Sequence, residues 1–191
     1  GQITCLFGAR QTGKTVLINT IKKKLKNKKT LIVHGENLDV AEILSSQRVN
    51  TLAKFIGDCD YLFIDEAQKI PNIGLNLKLI ADNLKQVAVF ITGSSSFSLK
   101  NKIGEPLVGR ANYFHLYPIA NVELDYNLLE NKENLETNLI YGSYPRVITA
   151  ATLAEKKDEL EKIKNGYLLK DILELDNIKD SLFILNLLRL I

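Results

Sequence analysis

Gly8-Ala9-Arg10-Gln11-Thr12-Gly13-Lys14-Thr15 is the stretch on which the fold turns. It fits G-x-x-x-x-G-K-[ST] at every position, and each residue type has a physical task. Gly8 and Gly13 let the backbone turn tightly, so that the amides of Ala9, Arg10, Gln11 and Thr12 can approach phosphate oxygens. A helix beginning near Lys14 aims its N-terminal amides and positive dipole end at the same anion. Lys14 has the reach to meet β- and γ-phosphates, and the Thr15 hydroxyl is suited to ligate Mg²⁺. The flanks supply the context that this chemistry requires. Ile3–Phe7 is a short apolar run that reads as a buried strand. From Lys14 to Lys26, Leu17, Ile18, Ile21 and Leu25 fall on one helical face.

Working outward, strands and helices alternate. Leu31–Val33, Tyr61–Ile64, Val87–Ile91 and Tyr113–Leu116 read as further strands. Val49–Ile56 reads as a helix with Leu52, Phe55 and Ile56 inside, and Ile73, Leu77, Ile80 and Leu84 recur at helical spacing. This alternation implies an α/β fold, a mostly parallel sheet with helices on both faces. Past Pro118 the pattern turns helical, broken by the loop Tyr141-Gly142-Ser143-Tyr144-Pro145. Thr152 and Glu155 are spaced as a capping box that opens a helix. Leu182–Ile191 is apolar nearly all round, so a helix there needs a cover. The expected division is a core over residues 1–120 and a helical extension over residues 121–191.

Tyr61-Leu62-Phe63-Ile64-Asp65-Glu66 places two carboxylates after four apolar residues. A parallel strand of this kind delivers them to its carboxyl end, where open α/β sheets bind ligands. Asp65 is suited to the Mg²⁺ shell and Glu66 to polarising an attacking water as general base. A second acid beside the metal acid favours hydrolysis over transfer to a substrate hydroxyl. The other reading is a solvated loop carrying two acids.

Composition narrows the classes. The chain has 191 residues, 46% hydrophobic and 25% charged, with a net charge of +3. That suits a folded domain with a substantial core, and the charge is too mild to name a nucleic-acid partner. No apolar run reaches the length of a spanning helix, so no membrane partner is expected. Cys5 and Cys59 are few, far apart and set in or beside apolar runs, which points to buried free thiols and a cytoplasmic setting. There is no Met, and the chain opens on Gly1 just before the first strand. It therefore reads as a piece of a longer protein.

The phosphate loop, the acidic pair and the polar end of the fourth strand together resemble AAA-type P-loop ATPases. Asp65-Glu66-Ala67-Gln68, Thr92-Gly93-Ser94-Ser95, Leu107-Val108-Gly109-Arg110 and Leu116-Tyr117-Pro118-Ile119 follow the loop in the order seen in one prokaryotic AAA-like family. There an ATPase domain precedes a C-terminal domain of unknown function. Gly142-Ser143-Tyr144-Pro145 and Tyr167-Leu168-Leu169-Lys170-Asp171 are similar to that family as well. The resemblance implies a P-loop NTPase fold with strand order 5-1-4-3-2, ATP and Mg²⁺ as ligands, and slow, regulated hydrolysis. It also implies a sensor at the end of strand four, where Thr92 or Ser94 would read the γ-phosphate. Capping of the following turn is the other use for these hydroxyls. Arg110 is a candidate for the transition-state cation beside Lys14, in cis near the ligand edge of the sheet or in trans through self-association. A surface ion pair is its other reading.

Two function classes share this nucleotide site: an ATPase, and a nucleotide-gated binding module with negligible turnover. A DNA-binding ATPase, with its contact beyond Ile191, is a third. Lys22, Lys23, Lys24, Lys26, Lys28 and Lys29 are read as the solvated end of the first helix. His34 and His115 are isolated, without metal-ligand spacing to Cys or acids.

Overall fold

The computed structural model describes residues 2–94, 107–124 and 126–168. Five strands, β1 (Ile3–Phe7), β2 (Thr30–His34), β3 (Tyr61–Asp65), β4 (Ala88–Gly93) and β5 (Ala111–His115), form one sheet in the order β2-β3-β4-β1-β5. Every neighbouring pair is parallel. This is the expected order 5-1-4-3-2 met from the other edge. Parallel strands need crossovers, and the helices that supply them are α1 (Lys14–Lys24), α2 (Leu38–Leu44), α3 (Val49–Ile56) and α4 (Ile73–Asn83).

Alternation along the strands separates two faces. On one, Ile3 and Cys5 of β1, Leu62 and Ile64 of β3, and Val89 and Ile91 of β4 pack with Leu44, Leu52, Ile56, Ile73, Leu77 and Ile80 from α2, α3 and α4. All of these are almost fully buried. On the other face lie Thr4, Leu6, Phe90, Thr92, Asn112 and Phe114 beside Leu17, Ile18 and Ile21 of α1. β3 is buried on both faces, so Leu62, Phe63 and Ile64 read as an uninterrupted apolar run rather than an alternation. Phe63 stacks on Phe90 with ring centroids 5.4 Å apart. Cys5 is a free thiol in this core, and burial pushes its pKa up to about 12. Cys59 is half-buried and free.

The departures from expectation are local. α1 ends at Lys24 and not Lys26, because Leu25 leaves helical geometry (φ −90°, ψ 39°). α2 has no counterpart in the sequence reading. Its signal is Asn37, whose Oδ1 accepts from the amides of Asp39 and Val40. β5 begins two residues earlier than expected, since Ala111 and Asn112 pair with Ile3 and Thr4.

The residues cluster into two compact units, Gly1–Gly8 with Gly13–Leu116, and Ala9–Thr12 with Tyr117–Ile191. In the second unit, α5 (Leu128–Tyr141), α6 (Pro145–Thr149) and α7 (Leu153–Ile163) follow one another. The Asn127 side chain caps α5, and Thr152 with Glu155 forms the capping box of α7. Lys156 Nζ donates to the Val147 carbonyl at 2.7 Å, across from the fully buried Val147 side chain. Ser95 and Ser96, Leu169-Lys170-Asp171 and the apolar run Leu182–Ile191 lie outside the described residues. Among the described residues, no helix is long and apolar enough to cross a membrane.

Candidate functional site

The parallel register sets the strand ends in one row. Phe7 pairs with Gly93 and with His115, and His34 pairs with Asp65. The loop Gly8–Thr15 leaves β1 at this edge and enters α1, so the helix N-terminus faces the ends of β3 and β4 within the same unit. Two loop residues have left-handed backbone, Gln11 at φ 64° and Gly13 at φ 99°. Such alternation turns successive amides towards a common point, the geometry of an anion nest. Thr12 Oγ1 donates to the Ala9 carbonyl at 2.8 Å and fixes the tip of the loop. Lys14 is 6% exposed and its Nζ donates to the Gly8 carbonyl at 2.9 Å, folded back over its own loop.

Asp65 closes β3 and is 5% exposed. A buried carboxylate needs donors, and two hydroxyls supply them. Thr15 Oγ1 donates to Asp65 Oδ2 at 2.8 Å, and Thr92 Oγ1 donates to Asp65 Oδ1. Thr92 also accepts from the Glu66 amide at 3.2 Å. The pair expected to hold Mg²⁺, Thr15 and Asp65, is thus brought into contact. Among the described residues there is no cluster of three or more His, Cys, Asp or Glu suited to a metal ion. The oxygen donors at this corner are one carboxylate and one hydroxyl, Asp65 and Thr15, both of the type that hard cations take.

Glu66 follows with left-handed backbone, φ 53°. Its carbonyl accepts from Lys69 N at 3.0 Å in the turn Ala67–Lys69. Its Oε2 accepts from Gln68 Nε2 at 2.5 Å, and the same Nε2 donates to Ser94 Oγ at 3.0 Å. The approach of β2 to this corner depends on Gly35. Its amide donates to the Asp65 carbonyl at 2.8 Å, and a Cβ there would lie 2.4 Å from the Glu66 carbonyl oxygen.

Arg110 requires a correction. It was expected near the ligand edge, but it precedes β5, and its carbonyl accepts from the Ile3 amide at 3.2 Å. In a parallel sheet, the start of a strand lies at the edge opposite the phosphate loop. About 16 Å of strand separates the two edges. Arg110 Nε donates to Asp82 Oδ1 at 2.7 Å, in the last turn of α4. This guanidinium holds the Asp82 carboxyl below its ordinary range. His34 also differs from expectation. It is exposed but not isolated, with Nδ1 3.7 Å from Asp65 Oδ2. The sequence reading left Gln68 and Gly35 without roles. Gln68 stood within the quoted Asp65–Gln68 motif, and the only signal for Gly35 was a glycine directly after a strand.

The AAA domain model matches residues 1–124. The chain belongs to the AAA domain family. A solved structure agrees in fold. A Walker-type ATPase of Pyrococcus abyssi aligns over 91% of this chain and 70% of its own, with 16% identity and a TM-score of 0.57. DnaA of Aquifex aeolicus, solved with AMPPCP bound, aligns over 84% of this chain and 54% of its own, with 16% identity and a TM-score of 0.49. Among curated proteins, none matches the sequence. This AAA domain thus has a parallel P-loop NTPase sheet, and its phosphate loop lies on the strand between β4 and β5.

Proposed function

We propose that this AAA domain binds ATP with Mg²⁺ and hydrolyses it to ADP and phosphate. The observation that carries the reading is the buried Asp65 carboxylate. It is gripped by Thr15 from the phosphate-loop helix and by Thr92 from β4. A structural role alone gives no reason to bury a carboxylate against the hydroxyl that ends a G-x-x-x-x-G-K-T loop.

In this reading the amides of Gly8 through Gly13 and the Lys14 ammonium hold the phosphates. The Lys14 ammonium exchanges the Gly8 carbonyl for phosphate oxygens. Thr15 and Asp65 would hold Mg²⁺, which would supply charge neutralisation at the phosphates. Glu66 takes a proton from the water whose oxygen bonds to the γ-phosphorus, while the bond to the β–γ bridging oxygen breaks and the electron pair leaves with ADP. Thr92 is engaged by Asp65 and by the Glu66 amide, so it orients the metal acid. Ser94, just past β4, is the hydroxyl linked to the Glu66 carboxylate through Gln68. A role for Arg110 at a phosphate requires a second copy of the chain, because its own site lies across the sheet.

Lys14→Ala is expected to weaken ATP binding at least 100-fold, read by titration with a fluorescent ATP analogue. Glu66→Gln is expected to keep ATP affinity within about twofold and to lower turnover at least 100-fold. An intact protein without single-turnover hydrolysis, indistinguishable from Glu66→Gln, would show a nucleotide-gated switch instead.

A further inference from the structure

A buried carboxamide is costly unless its hydrogens find acceptors. Gln68 is 7% exposed and sits in the tight turn two residues beyond Glu66. Both hydrogens of its Nε2 are engaged, one by Glu66 Oε2 at 2.5 Å and the other by Ser94 Oγ at 3.0 Å. A carboxylate only accepts, so the nitrogen must face Glu66, and this fixes the amide orientation. Ser94 therefore accepts from Gln68, and its own hydroxyl proton points away from Gln68. The chain has one direction: Gln68 donates to both Ser94 and Glu66.

The backbone of Glu66 is held on both sides. Its amide is bonded to Thr92 and its carbonyl to Lys69 N, at a left-handed φ of 53°. Its side chain keeps three rotatable bonds, and the contact with Gln68 restricts them. Ser94 and Glu66 come from the ends of neighbouring parallel strands, and Gln68 is the group that joins their side chains.

We propose that Gln68 is a positioning residue for the hydrolytic step. Its carboxamide couples Ser94 to Glu66 and holds the Glu66 carboxylate in the orientation from which it takes the proton of the attacking water. The proposal rests on the hydrolytic reading above. It assigns Gln68 no contact with nucleotide, so ATP affinity should not depend on it. A hydrogen bond to a charged group that acts in the reacting geometry is worth about 10- to 100-fold in rate.

The test uses the 191-residue chain. Gln68→Ala should lower kcat about 10- to 100-fold, with KM and ATP affinity within about twofold. Gln68→Glu has the same size but sets a carboxylate against Glu66, so it should lose more than Gln68→Ala; a merely space-filling role predicts the reverse. In a Glu66→Gln background, Gln68→Ala should cost nothing further, because it acts through Glu66. A readout independent of turnover is the Gln68 side-chain amide in ¹⁵N NMR spectra of the nucleotide-free chain. Its resonances should be displaced from those of solvent-exposed amides and should move in both Glu66→Gln and Ser94→Ala. If Gln68→Ala does not fold, Gln68→Glu and the amide resonances decide the matter.

A parent with turnover that Glu66→Gln abolishes but Gln68→Ala leaves intact or raises overturns this proposal alone. So does an amide resonance indistinguishable from solvent-exposed ones. A parent without turnover overturns the hydrolytic reading and this proposal with it.

Discussion

The two edges of the sheet use the same chemical vocabulary for different ends. At the carboxyl edge, Asp65 has a side chain 8% exposed and is held by hydroxyls of Thr15 and Thr92. At the amino edge, Asp82 is 42% exposed and is held by a guanidinium, that of Arg110, which is 37% exposed. An exposed acid paired with a full positive charge is neutralised in place and contributes little beyond local order. Asp65 is buried and takes its two hydrogen bonds from hydroxyls, with the exposed His34 ring beside it. What separates the two carboxylates is burial and the kind of donor, hydroxyls for Asp65 and a guanidinium for Asp82.

Substitutions at the two edges should differ accordingly. Gly35→Ala is expected to have the largest effect on stability. The added carbon meets backbone, the Glu66 carbonyl oxygen at 2.4 Å, and backbone cannot swing aside as a side chain tip can. The expected cost is about 3 kcal/mol in denaturant melts, with loss of ATP binding as the corner opens. A variant as stable as the parent would mean that β2 does not constrain Asp65. Thr92→Val keeps the shape, but removes the donor to Asp65 and leaves the part-buried Glu66 amide without its acceptor. About 2 kcal/mol is expected, together with weaker Mg²⁺-dependent ATP binding. Unchanged metal dependence would break the assignment of Thr92 to Asp65. Arg110→Ala should be the mildest, below about 1 kcal/mol, with ATP affinity unaltered in a monomer. Salt should diminish even that. If turnover falls in Arg110→Ala only at concentrations where copies associate, Arg110 serves a neighbour.

Much of the carboxyl edge was legible in the sequence, because its chemistry is written locally. Gly8–Thr15 carries its spacing within eight consecutive residues, and Tyr61–Glu66 announces both a buried strand and the acids that end it. β1 and α3 were read to the residue, since their apolar patterns end abruptly. What escaped reading depends on partners distant in the chain. The start of β5 is set by pairing of Ala111 with Ile3, not by its own hydropathy. The role of Gln68 depends on Ser94, which arrives from a different strand. Arg110 was misplaced although the information was present. A residue just before a strand of a parallel sheet stands at the amino edge, and the ligand crevice is at the other.

The sheet order also governs the history of the chain. β1 is made before the other four strands of the sheet, yet it lies between β4 and β5, and Ile3 finds its partners in Val89 and Ala111. β2 and β3 are neighbours in both sequence and space, so they can pair first. Contacts of such long sequence separation form slowly, because loop closure must precede them. The strand that launches the phosphate loop therefore waits, unpaired, until Ala88–Gly93 has been made, and gains its second neighbour only with Ala111–His115. The carboxyl edge, which needs Thr15, Asp65 and Thr92 together, should therefore take shape only after β4 has been made.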